Sequence, residues 1–283
     1  MRIDVAGVPA IDGLSFESTG DWVLVLGSVR ALFEGVAGLR PIERGEIRVG
    51  GLSPLQSIRA GMVSAAPLDP PLPLRWSPLQ YVTWSARLAG RPGRGAASAA
   101  ADAIERFALG PFAREKLGRS SLAARRATVV AAADVTGATA LIVEDPSVGM
   151  APEVAGPFAR IVVRALAGRR AIWFASRVAL ESPLGLAADE AILLDGSRVA
   201  IQGAPAQIAS NAHAYCLRVA GDVHAFATAM ASAGARLLAP SDSSMPAHMS
   251  LNLGPLGTSD VLRIAVECSA IILELRPLAG SFA

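Results

Sequence analysis

Two adjacent carboxylates, Glu144 and Asp145, close the short apolar run Ala140–Val143 and are followed by Pro146. An apolar run of this length bounded by an acidic pair reads as a strand buried on both faces. Carboxylates at its C-terminal end sit where open α/β sheets hold their ligands. The same residues also fit a plain parallel strand running into an acidic turn. Gly27 follows a second apolar run, Val23–Leu26, and precedes a helical pattern over Val29–Leu39. Strand, glycine, helix is the opening of a phosphate-binding unit. Such a unit needs glycines that turn backbone N–H groups toward the phosphates, a lysine for the β and γ phosphates, and a Ser/Thr hydroxyl for Mg²⁺. Between Gly27 and Ala37 the chain offers only Ser-Val-Arg-Ala-Leu-Phe-Glu-Gly-Val, and its single lysine is the distant Lys116. Arg30 stands near the expected helix start, where it can reach one phosphate oxygen or pair with a neighbouring carboxylate.

The elements that must position these residues fit within 283 residues, enough for one large domain, or one of about 200 residues with a smaller companion. The chain is 52% hydrophobic and 18% charged with mean hydropathy +0.43, which suggests surface buried against a partner. No run reaches the roughly 18 apolar residues of a spanning helix; the nearest, Ala127–Val143, is broken by Asp134. The opening Met-Arg-Ile-Asp-Val-Ala lacks the features of a signal peptide. Cys216 and Cys268 are too few and too far apart for a disulfide framework or a metal site, so a reducing cytosol is expected. A net charge of +2 without a basic run argues against a nucleic-acid partner.

Two short strands are expected at Arg2–Val5 and Leu14–Glu17, joined by the turn-prone Ala10–Gly13. Beyond the Val29–Leu39 helix comes Leu-Arg-Pro-Ile-Glu-Arg-Gly-Glu-Ile-Arg-Val-Gly-Gly at Leu39–Gly51. This run resembles the one that follows the P-loop helix in ABC transporter ATPases, where a leucine-arginine-proline leads to a glycine-glutamate and a β-hairpin. After a strand at Met62–Ser64, Asp69–Leu74 is a stiff extended linker. It leads to a helix from Pro78 with Ser77 as its N-cap. This resembles the family's helical subdomain, whose groove receives the permease's coupling helix. Trp76, Tyr81 and Trp84 are candidates to line that groove or to pack in the core. A glycine-rich basic turn, Gly90–Gly95, precedes a helix over Ala96–Phe107.

The resemblance also assigns positions to the family's chemical motifs, and this chain departs from them one after another. Aligned on the helix, the degenerate P-loop is Gly27, Ser28, Val29 and Arg30; Val29 takes the lysine position and Arg30 the first hydroxyl position. About four residues of the glycine cradle are missing. Charge-assisted hydrogen bonds are worth roughly 1.5 to 3 kcal/mol each, so losing the lysine and several amides weakens phosphate binding by powers of ten. Ala65 takes the position of the glutamine that senses Mg²⁺ and the permease. The signature pentapeptide becomes Ser120-Ser121-Leu122-Ala123-Ala124. Ser121 keeps the serine position, where it can equally cap a helix through Ala133, while Leu122 and Ala123 replace glycines. Arg125-Arg126 match the basic residues after the signature, a sign of ancestry without chemistry. In the Walker B strand the family order is aspartate then glutamate; here Glu144 precedes Asp145, displacing each carboxylate by a methylene in a reaction that tolerates little misplacement. Ala151 stands at the D-loop aspartate, and Arg177 at the switch histidine, with His213, His224 and His248 all farther along. A helix near Glu153–Leu166 and a strand at Ala171–Ala175 complete this region. A hairpin at Ala191–Pro205, turned by Asp195-Gly196, closes the domain.

From about residue 212 the pattern becomes strand (213–219), helix (222–233), strand (235–239), strand (247–253), helix (258–267) and strand (270–276). This βαββαβ order is ferredoxin-like, and with its ending Leu-Glu-Leu-Arg-Pro it resembles the tail of ATPases that serve ABC-2 type permeases. The expected fold class is therefore α/β. Residues 1–210 form a degenerate ABC-ATPase-like P-loop NTPase domain with a mixed sheet and a helical subdomain at about 75–125; residues 211–283 form a small α+β ferredoxin-like domain.

Loss of every motif with retention of the frame implies a catalytically inactive ABC ATPase homologue. It would be a structural or regulatory subunit docked on an ABC-2 type permease at the cytoplasmic face of the inner membrane. An active ABC ATPase would make a heterodimer with it, or a second copy a homodimer. No cofactor is expected, though weak Mg-ATP binding would fit a site built on a partner's P-loop facing Ser121. Two alternatives stay open: a divergent ATPase using Arg30, Glu144 and Asp145, and a soluble scaffold that has left transport.

Overall fold

The computed structural model describes residues 2–6, 14–42, 44–178, 182–196, 198–209, 214–239 and 246–277. The expected Ala10–Gly13 turn lies outside these. Strands β1 (Arg2–Ala6), β2 (Leu14–Glu17) and β3 (Trp22–Leu26) open the chain, followed by helix α1 (Arg30–Val36), β4 (Arg44–Arg48), α2 (Pro54–Arg59) and β5 (Val63–Ala66). Next come α3 (Pro78–Leu88), α4 (Gly93–Arg106), a 3₁₀ turn at Gly110–Phe112, α5 (Leu122–Asp134), β6 (Ala140–Glu144), α6 (Pro152–Ala165), β7 (Arg170–Ala175), α7 (Pro183–Ala187), β8 (Glu190–Asp195), β9 (Arg198–Gly203) and α8 (Pro205–Ala209). The chain ends with β10 (Ala214–Gly221), α9 (Val223–Ser232), β11 (Arg236–Ala239), β12 (Ala247–Asn252), α10 (Thr258–Glu267) and β13 (Ala270–Pro277).

The central sheet has the order β5-β6-β7-β3-β8-β9, parallel except for the antiparallel edge strand β9. Its inner strands are apolar on both faces, as a sheet covered on both sides requires. Leu24, Leu26, Leu141, Val143 and Trp173 face a core built with α3–α6, while Val23, Val25, Ile142, Ile172 and Phe174 face α1 and its Phe33. Each fully buried side chain of this size contributes roughly 1.5 to 3 kcal/mol. A separate antiparallel sheet, β2-β1-β4, flanks α1.

Caps behave as the sequence suggests. Ser77 Oγ accepts the Gln80 N–H at 3.3 Å, and Gln80 Oε1 accepts the Ser77 N–H at 2.9 Å, a reciprocal pair that starts α3. Helix boundaries differ in three places. The helix expected over Val29–Leu39 stops at Val36, because Gly38 turns left-handed at φ +66° and the N–H groups of Leu39 and Arg40 fold back onto the Glu34 carbonyl. After β4 the chain makes no paired hairpin strand: Val49 and Leu52 close a tight turn and α2 follows, its Ser53 N–H bonded to Gln56 Oε1 at 3.2 Å. Helix α4 begins at Gly93, so only Gly90–Pro92 form the expected turn.

An ion cluster around the buried Asp134 fixes α5. Asp134 accepts Arg106 Nη2 at 2.7 Å and Arg169 Nε at 3.0 Å, and the same two arginines bond the carbonyls of Ala165 and Ala138. This ties α5 to α4 and to the approach to β7.

The C-terminal strands form an antiparallel sheet in the order β11-β12-β10-β13. Helices α9 and α10 cover one face through Leu217, Val219, Phe226, Met230, Met249 and Ile264. From the opposite face, Ala214 and Cys216 join the larger core. An ion pair between Arg276 and Asp195 links β13 to the end of β8.

Candidate functional site

The sequence places its candidate chemistry at the C-terminal ends of β3, β6 and β7, three neighbours in the central sheet. At the end of β3, Gly27 has φ +123°, and a Cβ there would lie 2.7 Å from the Leu194 carbonyl oxygen, so glycine is required by packing against β8. The Gly27 N–H donates to the Ala175 carbonyl at 3.1 Å, and the Val29 N–H donates to the Gly27 carbonyl at 2.9 Å. Two amides that a phosphate loop would turn toward a ligand are thus bonded within the fold. Val29 is buried and packs in the core with Phe33 and Val36, while Ser28 is exposed. Arg30 is 76% exposed and bonds Glu34 at 3.2 Å, one turn along α1, where Arg40 also pairs with Glu34 at 2.7 Å. Of the two roles open to Arg30, the structure shows the carboxylate pair.

At the end of β6 both carboxylates have protein partners. Glu144 Oε2 accepts the backbone N–H of Leu68 at 2.9 Å, bridging to the loop after β5. Asp145 is buried, and its Oδ1 accepts the Ser147 N–H at 2.8 Å and the Ser147 hydroxyl at 2.5 Å. Burial pushes the Asp145 carboxyl above its ordinary value, and the Ser147 bonds and the Arg126 charge oppose that rise. Arg177, at the end of β7, is exposed, yet it shares with Asp145, Ser147 and Trp173 the lining of a cavity of about 190 Å³. The structure therefore brings Asp145 and Arg177 together, while Glu144 is turned to Leu68. Ala65 sits mid-strand in β5 opposite Ile142. Ser121 Oγ accepts the Ala124 N–H at 3.2 Å as the cap of α5; Leu122 and Ala123 occupy the next two positions, both half-buried. No group of three or more His, Cys, Asp or Glu side chains among the described residues is arranged to hold a metal ion.

One residue set aside as chemically silent proves central. Arg126 is 6% exposed. Its guanidinium approaches the Asp69 carboxylate at 3.3 and 3.5 Å, and donates to the Pro146 carbonyl at 3.2 Å and to the Val148 carbonyl. The readable signal was an arginine within the alanine-rich α5, where most positions are buried.

A groove of about 720 Å³ is lined by residues of α3, α5 and β5 and of the segments after α1 and α2, with Leu39, Arg59, Ala65, Tyr81, Leu88 and Thr136 among them. Tyr81 lines it, and burial raises its phenol above the usual range. Trp76 and Trp84 are 36% and 44% exposed and stand edge to face with ring centroids 5.7 Å apart. These two tryptophans are neither core nor among the groove's lining residues. Tyr81 stacks on Trp84 at 6.3 Å, which joins the groove to an exposed aromatic surface.

No family model matches the chain, and no curated protein matches it. Solved structures do. CbiO1 from Clostridium perfringens, part of the ABC transporter complex CbiONQ, superposes with TM-score 0.60 at 17% identity over 71% of this chain and 84% of that one. An ATP-binding subunit of an ABC transporter gives 0.58 at 14% identity over 71% and 86%. The ADP conformation of MJ1267, an ATP-binding cassette of an ABC transporter, gives 0.57 at 15% identity over 72% and 88%.

Proposed function

We propose, starting from the ABC ATPase fold that these likenesses share with the chain, that the protein is a non-hydrolysing ABC-type subunit of an ABC-2 type membrane transporter. Within residues 1–210 it keeps the frame of a nucleotide-binding domain with a helical subdomain at about 75–125. One observation carries the reading: the turn after β3 is filled by a buried valine and closed by its own amides. A phosphate there would need donors that the fold already engages, with no lysine beside them. The carboxylates of Glu144 and Asp145 likewise bond backbone or side-chain donors of neighbouring loops.

Docking is what the remaining frame supports. The apolar groove between α3, α5 and β5 suits the insertion of a short helix from a permease, with Tyr81 on its wall. No helix among the described residues is long and apolar enough to cross a membrane. The proposed location is peripheral, on the cytoplasmic face of the inner membrane, beside an active ATPase or a second copy. For residues 211–283 we propose a ferredoxin-like unit, supported by the β11-β12-β10-β13 order and by helices on one face. Its role is packing or dimerisation.

Calorimetry of the purified chain with Mg-ATP tests the core of this reading. No heat at millimolar nucleotide is expected. Micromolar binding, or hydrolysis abolished by Glu144→Gln or Asp145→Asn, would overturn it.

A further inference from the structure

The bonds made by Arg126 join α5 to the loop after β5, two elements that both contribute residues to the groove. Arg126 belongs to α5, whose Val129, Ala132 and Ala133 line the groove together with Tyr81, Ser85 and Leu88 of α3. Asp69 lies in the loop after β5, between Pro67 and Pro70, both of which line the groove as well. The same guanidinium holds the carbonyls of Pro146 and Val148 after β6. The loops after β5 and β6 are joined a second time by Glu144 and Leu68. The two halves of the Arg126 contact differ in kind. The side chain of Arg126 is 7% exposed while that of Asp69 is 66% exposed, so the carbonyl bonds are sheltered and the ion pair is open to solvent.

We propose that Arg126 and Asp69 form a latch between α5 and the loop after β5, anchored on the β6 loop and releasable at Asp69, that holds the 67–70 part of the groove's lining in place without nucleotide. The inference rests on the proposed loss of nucleotide control, since an unliganded subunit needs another means of holding its docking surface ready. A partner segment that bonds Asp69, or displaces it, releases the latch and lets the wall formed by residues 67–70 move. The buried bonds to Pro146 and Val148 keep α5 in place when that happens.

Hydrogen exchange of the full, ligand-free chain tests this, with Asp69→Asn and Arg126→Gln as variants. Asp69→Asn alters an exposed side chain and leaves the core intact. It should speed exchange across 64–69 about threefold, with raised salt producing the same change in the wild type. Arg126→Gln should raise exchange about tenfold across both 64–69 and 146–150, while the strands β3 and β7 stay protected. Unchanged exchange at 64–69 in Asp69→Asn would overturn the proposal, as would a rise spread evenly over β3, β7 and α9. Mg-ATP added to the wild type is a separate arm: protection by nucleotide would overturn the proposed function, whereas the latch is read in the ligand-free chain.

Discussion

Glu144, at the end of β6, accepts the backbone N–H of Leu68 at 2.9 Å across two adjacent loops. A carboxylate in that role is a brace, and its loss has a different signature from the loss of a catalytic base. Glu144→Ala leaves the Leu68 amide unpaired and should lower unfolding stability by about 1 to 2 kcal/mol. Glu144→Gln keeps an acceptor oxygen and should lose less. Urea titration of the two variants orders them.

Asp145 makes a prediction about pH. Its carboxyl titrates above the ordinary 3.8 because burial disfavours the charged form more than Ser147 and Arg126 favour it. The folded chain therefore holds this proton at pH values where the unfolded chain has released it, so this group's contribution to stability falls as pH rises from 3.8 through the folded value. Asp145→Asn keeps an oxygen for the Ser147 donors and removes the desolvated charge. Thermal melts should show the variant gaining on the wild type as pH is raised from about 3 to about 7.

Asp134 stands between Arg106 and Arg169 at 2.7 and 3.0 Å and is 4% exposed in its side chain. Asp134→Ala removes the carboxylate that holds two solvent-reaching arginines against α5 and should cost about 1 to 2 kcal/mol, read by chemical denaturation. Arg106→Ala should cost less, since Arg169 still neutralises the carboxylate.

Ala89 lies at the end of α3, exposed, on the groove wall. Ala89→Arg places a long cation at the groove mouth without disturbing the core. Its melting temperature should match the wild type, and its recovery with a multi-pass membrane protein should fall about tenfold or more. Equal recovery would move the docking surface elsewhere.

Much of this architecture was readable from local pattern. Val23–Leu26, Ala140–Val143 and Ala171–Ala175 are apolar on both faces, which marks inner strands of a covered parallel sheet. Ser77 and Ser121 precede helices at cap positions, and Asp195-Gly196 turns a hairpin. These signals depend on neighbours in sequence. The partners of Arg126 lie 57 residues before it and 20 to 22 after it, and Asp134 meets Arg106 and Arg169 from 28 and 35 residues away. No periodicity encodes such meetings. The exposed Trp76–Trp84 pair escaped for a related reason, because aromatic spacing on a helix does not say which face is left uncovered. Helix α2 is announced by Ser53, Pro54 and Gln56, a cap signal lying between the Leu39–Gly51 run and the Met62–Ser64 strand.

The burial of Val29 also bears on what substitution at this turn could achieve. A lone Val29→Lys change would set an ammonium among Phe33 and Val36, with the amides around it still bonded to Gly27 and Ala175, so it would harm folding before it helped any ligand. Building a phosphate loop here would require inserted residues first, and an insertion at this tight junction would disturb the sheet before it gained a charge. Packing thus closes the stepwise route: no single substitution in the turn after β3 opens a place for a phosphate.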